Sequence, residues 1–438
     1  MSGGIWNGQN KIRPGVYQNI YSTAIKNNNS ESNGLVAIAL DLKFGKEKAI
    51  TKIESETDIF NKLGYTVDEA DMLLIREMLK ATNTILIYRL NGGQKAQATV
   101  EENKTISAVY GGSKGNDISV VIANNVEDET KYDVITYMKN TVVDTQTITN
   151  YEEFVTNGFI QITGTGKISE ASTTNLENGT DNTSEKEAYS EFLQALELEN
   201  CSYIAYCGTD ETTKALIKTF LKRMNDEEGV RLKAVMGEYK ADYEKIITIK
   251  NGVVLEDGTT LTKEQCAAFV AALSASSDIT KSNTFETYPN AVDCNTRLNN
   301  SDTEKALQAG NIVFTRRNDN SVVIEQDINS LTTYTKEKNR DFSKNRVVRT
   351  LDMLAQEIKE HIEQNYIGKI NNNEDGRNIL RADIINIVKE KEERGAVQNF
   401  SEEDVTVEAG DGIESVLVNA AIQPVDSIEK IYMNIEVK

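Results

Sequence analysis

Leu35-Val36-Ala37-Ile38-Ala39-Leu40 is an unbroken apolar run between Gly34 and Asp41, and it reads as a buried β-strand. Downstream, Thr66-Val67-Asp68-Glu69 has capping-box spacing ahead of Met72, Leu73, Ile75 and Leu79, which predicts a helix. Thr84–Tyr88 is then a short β-branched run with apolar neighbours. Leu35–Leu90 is therefore a strand, helix, strand unit of α/β character, consistent with a parallel pair.

The texture changes beyond Asn91-Gly92-Gly93. Ile106–Tyr110, Ile118–Ala123, Tyr132–Met138, Thr141–Ile148 and Phe159–Thr163 are strand-like and separated by turn residues. Glu170–Lys186, rich in Ser, Thr, Asn and Gly, reads as a linker. From Glu187 the α/β texture resumes with a helix to Glu197, a strand Tyr203–Tyr206, a helix Thr212–Met224 begun by Asp210, and a strand Leu232–Val235. Thr262-Lys263-Glu264-Gln265 caps another helix through Leu273, and strands Ile312–Thr315 and Val322–Glu325 follow. These readings define an α/β middle domain over 35–93 and 187–332, interrupted over 94–186 by a small all-β domain, β-sandwich-like, with its linker.

Val347, Leu351, Leu354, Ile358 and Ile362 recur at spacings of three and four and predict a long amphipathic helix. A second helix near Asn378–Glu392 and strands near Val405–Glu408 and Ile413–Ile422 complete an α+β C-terminal domain over 333–422. The fold class is thus α/β plus α+β, multidomain, with an arm at each end. In the C-terminal arm, 423–438, the apolar Ile431, Met433, Ile435 and Val437 alternate with Tyr432, Asn434, Glu436 and Lys438, which predicts a strand. In the N-terminal arm and linker, 1–34, Pro14, Gly15, Val16 and Tyr17 open a strand-like run ahead of the polar stretch Lys26–Gly34. A terminal strand either pairs within its own subunit or completes a sheet edge in another copy, and the residues alone leave both open.

A chain of 438 residues exceeds what one core usually supports, so several domains are expected. Its 39% hydrophobic and 26% charged residues are ordinary for a soluble globular protein. A net charge of −20 argues against a nucleic-acid ligand and against an anionic membrane surface. No stretch has the apolar length needed to span a bilayer, and Met1–Asn10 lacks the basic start and apolar centre of a secretory signal. Cys201, Cys207, Cys266 and Cys294 have no metal-binding spacing and read as reduced, buried thiols.

Chemistry is hard to assemble from these residues. His361 is the single histidine and sits at the edge of the long helix's apolar stripe, so neither a His-based zinc site nor a Ser-His-Asp triad is expected. Tyr110–Asp117 and Gly164-Thr165-Gly166-Lys167 lack the residue order of a phosphate-binding loop and read as turns. The acidic runs Glu390–Glu393 and Glu402-Glu403-Asp404 read as solvated faces. No cofactor and no metal is expected. One local departure stands out: Lys336, Lys338, Arg340, Lys344, Arg346 and Arg349 crowd the start of the long helix, where cations oppose the macrodipole; they read either as a solvated helix start or as a contact for an external acidic partner.

Several segments together resemble a contractile tail sheath protein, of the kind found in myophages and phage-tail-like bacteriocins. Lys11-Ile12-Arg13-Pro14-Gly15-Val16-Tyr17 is similar to the sheath N-terminal arm, and Gly111–Val120 to the start of the inserted β domain. Ser274–Pro289, with Lys281-Ser282-Asn283-Thr284 and Tyr288, resembles a Ser/Thr-rich segment late in the middle domain. Gly310-Asn311-Ile312-Val313, Val322–Leu331 and Phe342–Ile358 resemble the passage into the C-terminal domain, and Pro424–Tyr432 looks like the closing strand.

The resemblance implies a structural subunit, not an enzyme, that polymerises helically around an inner tail tube, each arm inserting into a neighbour's C-terminal sheet. It implies intersubunit contacts at Pro14, Gly15, Val16, Tyr17, Ile431, Met433, Ile435 and Val437, and, with the C-terminal domain nearest the tube, an inner-tube contact at Lys344, Arg346 and Arg349. It further implies baseplate and tail terminator partners, no direct nucleic acid, no membrane insertion, and assembly in a bacterial host's cytoplasm into a phage tail or tail-like particle. The competing reading is an α/β enzyme, hydrolase-like, with a β insert and no identifiable catalytic set; a tube or baseplate component is disfavoured by length.

Overall fold

The computed structural model describes residues 34–169 and 171–437, with the backbone of Gly3–Gly4 and Val16–Tyr17. Contacts divide the chain into a short unit, 1–33, and a large one, 34–438. Within the short unit Gly3–Gly4 pairs in parallel with Val16–Tyr17. Pro14, Gly15 and the stretch 26–33 lie outside the described residues.

The large unit is built on one sheet. Its first strands are β1 (Leu35–Leu40), β2 (Ile50–Ile53) and β3 (Ile85–Arg89), with helices α1 (Glu56–Leu63) and α2 (Leu73–Leu79) before β3. After the all-β segment come α3 (Ala188–Leu196), β4 (Cys201–Tyr206), α4 (Glu211–Lys222), β5 (Lys233–Gly237), β6 (Ile246–Ile249), α5 (Cys266–Ser276), α6 (Asn300–Gln308) and β7 (Asn311–Ile312). The seven strands lie in the order β7-β6-β5-β4-β1-β3-β2, all parallel except β2 at one edge.

Helices cover both faces. Val36, Ile38, Ile85, Ile87, Val235 and Ile247 pack against α1, α2 and α5, while Ala37, Leu86, Tyr88, Ile204 and Met236 pack against α3 and α4. This two-sided burial is why Leu35–Leu40 is apolar throughout rather than alternating. Thr262 and Gln265 close a reciprocal capping box at the start of α5, Thr262 N–H donating to Gln265 Oε1 at 2.9 Å and Gln265 N–H to Thr262 Oγ1 at 3.3 Å.

The all-β segment leaves the sheet after β3 and returns at α3. It forms a four-stranded sheet, Thr141–Ile148, Tyr132–Met138, Ile118–Asn124 and Ser172–Asn175, and a three-stranded one, Ile160–Thr163, Lys104–Ala108 and Gln97–Glu101, around a core that includes Phe44, Ile106, Val120 and Phe159. The expected linker Glu170–Lys186 is corrected here: Ser172–Asn175 is an edge strand, and Thr180–Asp181 pairs with Gly93–Gln94. Its polar composition suits an exposed edge, which composition alone cannot tell from a loop.

Gly112 marks where this segment meets the rest of the chain. Its φ of 132° and the Lys43 carbonyl, which a Cβ would overlap, both require glycine. Beside it, buried Arg89 donates from Nη1 to the carbonyls of Gly45 and Gly111, each at 2.8 Å.

The last elements are α7 (Asn345–Asn365), α8 (Glu374–Glu393), β8 (Val405–Ala409) and β9 (Val416–Ala420). Leu354, Leu380, Ile384, Val388, Val397 and Val405 form their core. The expected strand Ile312–Thr315 is split between two sheets, β7 and a hairpin of Phe314–Arg316 with Val322–Ile324. The expected terminal strand is absent as a strand: between Pro424, which bridges Val397, and Val437 no described residue has a ladder partner.

Candidate assembly site

Three segments far apart in sequence converge where the seven-stranded body meets α7: Ser282–Thr284, Gln326–Ser330 and Pro424–Glu429. Asp327 carries the junction, its Oδ2 accepting from Asn283 N–H at 2.9 Å and its Oδ1 from Asn345 Nδ2 at 2.7 Å. Asn329 Nδ2 donates to the Phe342 carbonyl at 2.8 Å, which fixes the short turn leading into α7. Asp327 is 1% exposed and Asn329 0%, so this polar network is internal structure rather than surface.

Within the described residues, Lys344, Arg346 and Arg349 of the basic cluster at the start of α7 each reach a partner in the same chain. Arg346 and Arg349 are buried. Arg346 donates to the carbonyls of Ile279 and Gly395, and Arg349 to that of Lys281. The Gly395 carbonyl lies just beyond the C-terminus of α8, where the helix dipole favours a cation, whereas Ile279 and Lys281 stand in the chain that follows α5. Backbone carbonyls of segments far away in sequence thus receive both guanidinium groups at the N-terminus of α7. Sequence spacing cannot reveal this, because α5 precedes α7 by about seventy residues.

Lys344 is also engaged within the chain. Its ammonium bonds Glu429, and Asp426 lies 3.9 Å away. Burial works against the charge on Glu429, yet Lys344, Gln326 and Thr284 hold its carboxyl below the usual carboxylate range. Burial pushes the Asp426 carboxyl up, against the Ser427 N–H and Lys344. Beyond Glu429 the chain is bare: Ile431 is 77% exposed, Met433 73%, Ile435 81% and Val437 92%. Four large apolar side chains thus face water within seven residues.

The sheet of β8 and β9 has unfilled edges. Asp404 accepts from Ala421 N–H and Gly410 donates to the Ser415 carbonyl, which fixes the phase of the ladder. By that phase Val405, Val407 and Ala409 of β8, and Val416, Val418 and Ala420 of β9, aim their N–H and C=O groups outward. Arg381 Nε fills one position, donating to the Val405 carbonyl at 2.7 Å; no described residue bonds the outward groups of β9. Two-stranded sheets are marginal alone, so this one has room for added strands at either edge.

Elsewhere the candidates for chemistry resolve into structure. His361 Nε2 lies 2.9 Å from Asp383 Oδ2, which also accepts from Tyr366 OH, a surface network between α7 and α8. Lys114, in the glycine-rich turn, is buried and donates to Glu69 at 2.7 Å. Cys201 is buried and burial pushes its thiol up to about 12; Cys207 is half-buried with its thiol pushed up likewise, to about 12. Among the described residues no group of three or more His, Cys, Asp or Glu is arranged to hold a metal, and no helix is long and apolar enough to cross a membrane.

Comparison with known proteins bears on this arrangement. Four family models match in succession: the Tail sheath protein Gp18 domain III N-terminal region over 33–90, the Phage tail sheath protein beta-sandwich domain over 91–182, the Phage tail sheath protein central domain over 182–330, and the Phage tail sheath C-terminal domain over 337–438. The Phage-like element PBSX protein XkdK of Bacillus subtilis is 37% identical, with all of both chains covered. A sheath tail protein from Desulfitobacterium hafniense is 40% identical at a TM-score of 0.82, over 97% of this chain and 100% of its own. The helical sheath of the anti-feeding prophage in its contracted state, 13% identical at a TM-score of 0.58 over 98% of this chain and 100% of its own, shares the fold. An internal polar junction, a bare apolar arm and an open two-stranded sheet are here parts of a chain that belongs to the phage tail sheath family.

Proposed function

We propose that this chain is the structural subunit of a contractile sheath: it polymerises helically around an inner tail tube by strand exchange and contracts to drive that tube through a target cell envelope. The observation that carries the reading is the pairing of a bare arm, Ile431–Val437, with the unfilled β9 edge in the same molecule. An arm that fills a neighbour's edge makes a heterologous contact, and contacts that do not close repeat into a helix. The exposed alternation of Ile431, Met433, Ile435 and Val437 supports their role as the C-terminal link, and Pro14–Tyr17 are assigned the N-terminal one.

The same reading gives the chain copies of itself, the tube protein, a baseplate and a terminator as partners, and the host cytoplasm as the place of assembly, for a phage tail or tail-like particle. It assigns no catalysis. It also divides the chain at 34/35, 93/94, 186/187, 332/333 and 422/423. Deletion of Ile431–Lys438 tests it: the shortened subunit folds with an unchanged unfolding midpoint but forms no tubes under electron microscopy. Normal tubes from that deletion would refute strand exchange.

A further inference from the structure

We infer that Glu429 is the positioning residue of the C-terminal arm: it ties the arm's root to the seven-stranded body, so that the body sets the direction in which Lys430–Val437 leave for a second copy. The inference rests on the strand-exchange reading above and names the residue that directs it.

The root crosses from one part of the molecule to the other. Near its start it lies along the C-terminal unit, Gln398 N–H donating to the Gln423 carbonyl at 3.0 Å and Val425 N–H to the Ala396 carbonyl at 2.9 Å. At its end Glu429 leaves that unit for the body. Its Oε1 accepts from Thr284 Oγ1 at 2.9 Å, and its Oε2 from Gln326 Nε2 at 2.6 Å and from the Lys344 ammonium. Thr284 Oγ1 also accepts from Asp327 N–H at 2.9 Å, so its single proton is committed to Glu429. Thr284 and Gln326 belong to the body, and both are held by the Asp327 junction or its immediate neighbour.

Three donors converge on one carboxylate whose side chain is only 12% exposed, and one donor is charged; such bonds are stronger and better directed than neutral ones. Immediately beyond, exposure rises to 77% at Ile431. The boundary between held and free chain therefore falls at Lys430. At ~3.3 Å per residue the eight residues Lys430–Val437 reach about 26 Å from a point fixed on the body. Without Glu429 the last anchors are the Val425 backbone bond and the longer Asp426–Lys344 ion pair at 3.9 Å, and the added slack lowers the effective concentration of the arm at its acceptor.

The experiment uses the full chain with a nitroxide on Ile428→Cys, an exposed position beside the clamp, in the wild-type background and with Glu429→Ala, Glu429→Gln or the exchange Lys344→Glu/Glu429→Lys. The expected result is an immobilised label in the parent, a mobile one in Glu429→Ala, an unchanged monomer unfolding midpoint, and tube growth slowed roughly three- to tenfold. Glu429→Gln, which keeps the shape but not the charge, falls between, and the exchange recovers part of the rate. A label that stays immobile in Glu429→Ala, tube growth at the parent rate, or a monomer destabilised in step with slower growth each overturns the inference. Normal tubes from the Ile431–Lys438 deletion would instead overturn the reading beneath it.

Discussion

Asp352 Oδ1 lies 2.5 Å from the Nζ of Lys245, joining α7 to the start of β6, and both residues are buried. Lys233, at the start of β5, reaches the other oxygen at 2.6 Å. One carboxylate thus serves two lysines across the seam between the body and the C-terminal unit, and this bond, with the arginines Arg346 and Arg349, makes α7 part of the body.

Asp352→Asn strands two buried cations. Loss of one partner from a buried ion pair costs about 3–5 kcal/mol, so the variant should unfold at markedly lower urea, with the C-terminal unit losing hydrogen-exchange protection first.

Lys245 gives a pH signature. Desolvation and the neighbouring Lys233 push its ammonium down to about 8, against the pull of Asp352. Between that value and the ordinary lysine range near 10.4 the unfolded chain binds more protons than the native one, so this group makes stability rise with pH across that window. Urea titrations from about pH 7.5 to 9.5 should show a flatter profile in Lys245→Met than in the parent.

Arg346→Glu and Arg349→Glu should act on the free subunit. Each places a carboxylate against backbone carbonyls, those of Ile279 and Gly395 for Arg346 and that of Lys281 for Arg349, at a cost of at least about 3 kcal/mol, visible in denaturation of the isolated protein before any tube is added. A variant as stable as the parent would mean that these side chains are not held as described.

Gly112→Ala should cost about 2–5 kcal/mol, from positive φ and the Lys43 carbonyl together. Calorimetry would register the loss, and Gly258→Ala, with positive φ but open space around it, provides the smaller reference effect.

Ala420→Pro removes an outward N–H of β9 that bonds nothing described. Monomer stability should change by less than about 1 kcal/mol, while tube formation in light scattering falls, because a ladder bond to the incoming strand is gone.

Much of the body was legible from local pattern. Apolar runs marked β1, β3 and β4, because a sheet covered on both faces needs them, and Thr262-Lys263-Glu264-Gln265 marked the start of α5 through its reciprocal cap. Other strands were not read from the sequence, Ser172–Asn175 for want of an apolar signal and β6 despite its β-branched Ile-Ile-Thr-Ile. Ser172–Asn175 is a strand because Ile118–Asn124 offers an edge, and β6 is short and follows a lysine-containing stretch. At the site, the alternation in Ile431–Val437 was visible, whereas the roles of Arg346, Arg349 and Glu429 depend on partners brought together only by folding.

The order of strands also has a consequence for synthesis. β1 sits inside the sheet between β3 and β4, so one of its edges stays unpaired until Tyr206 has been made, 117 residues after Arg89. At ~5–20 residues per second the ribosome needs roughly 6–23 s for that stretch. The all-β segment occupies most of this interval and can settle around its own core while the apolar strand waits. Its size therefore sets how long each nascent chain carries an exposed sheet edge.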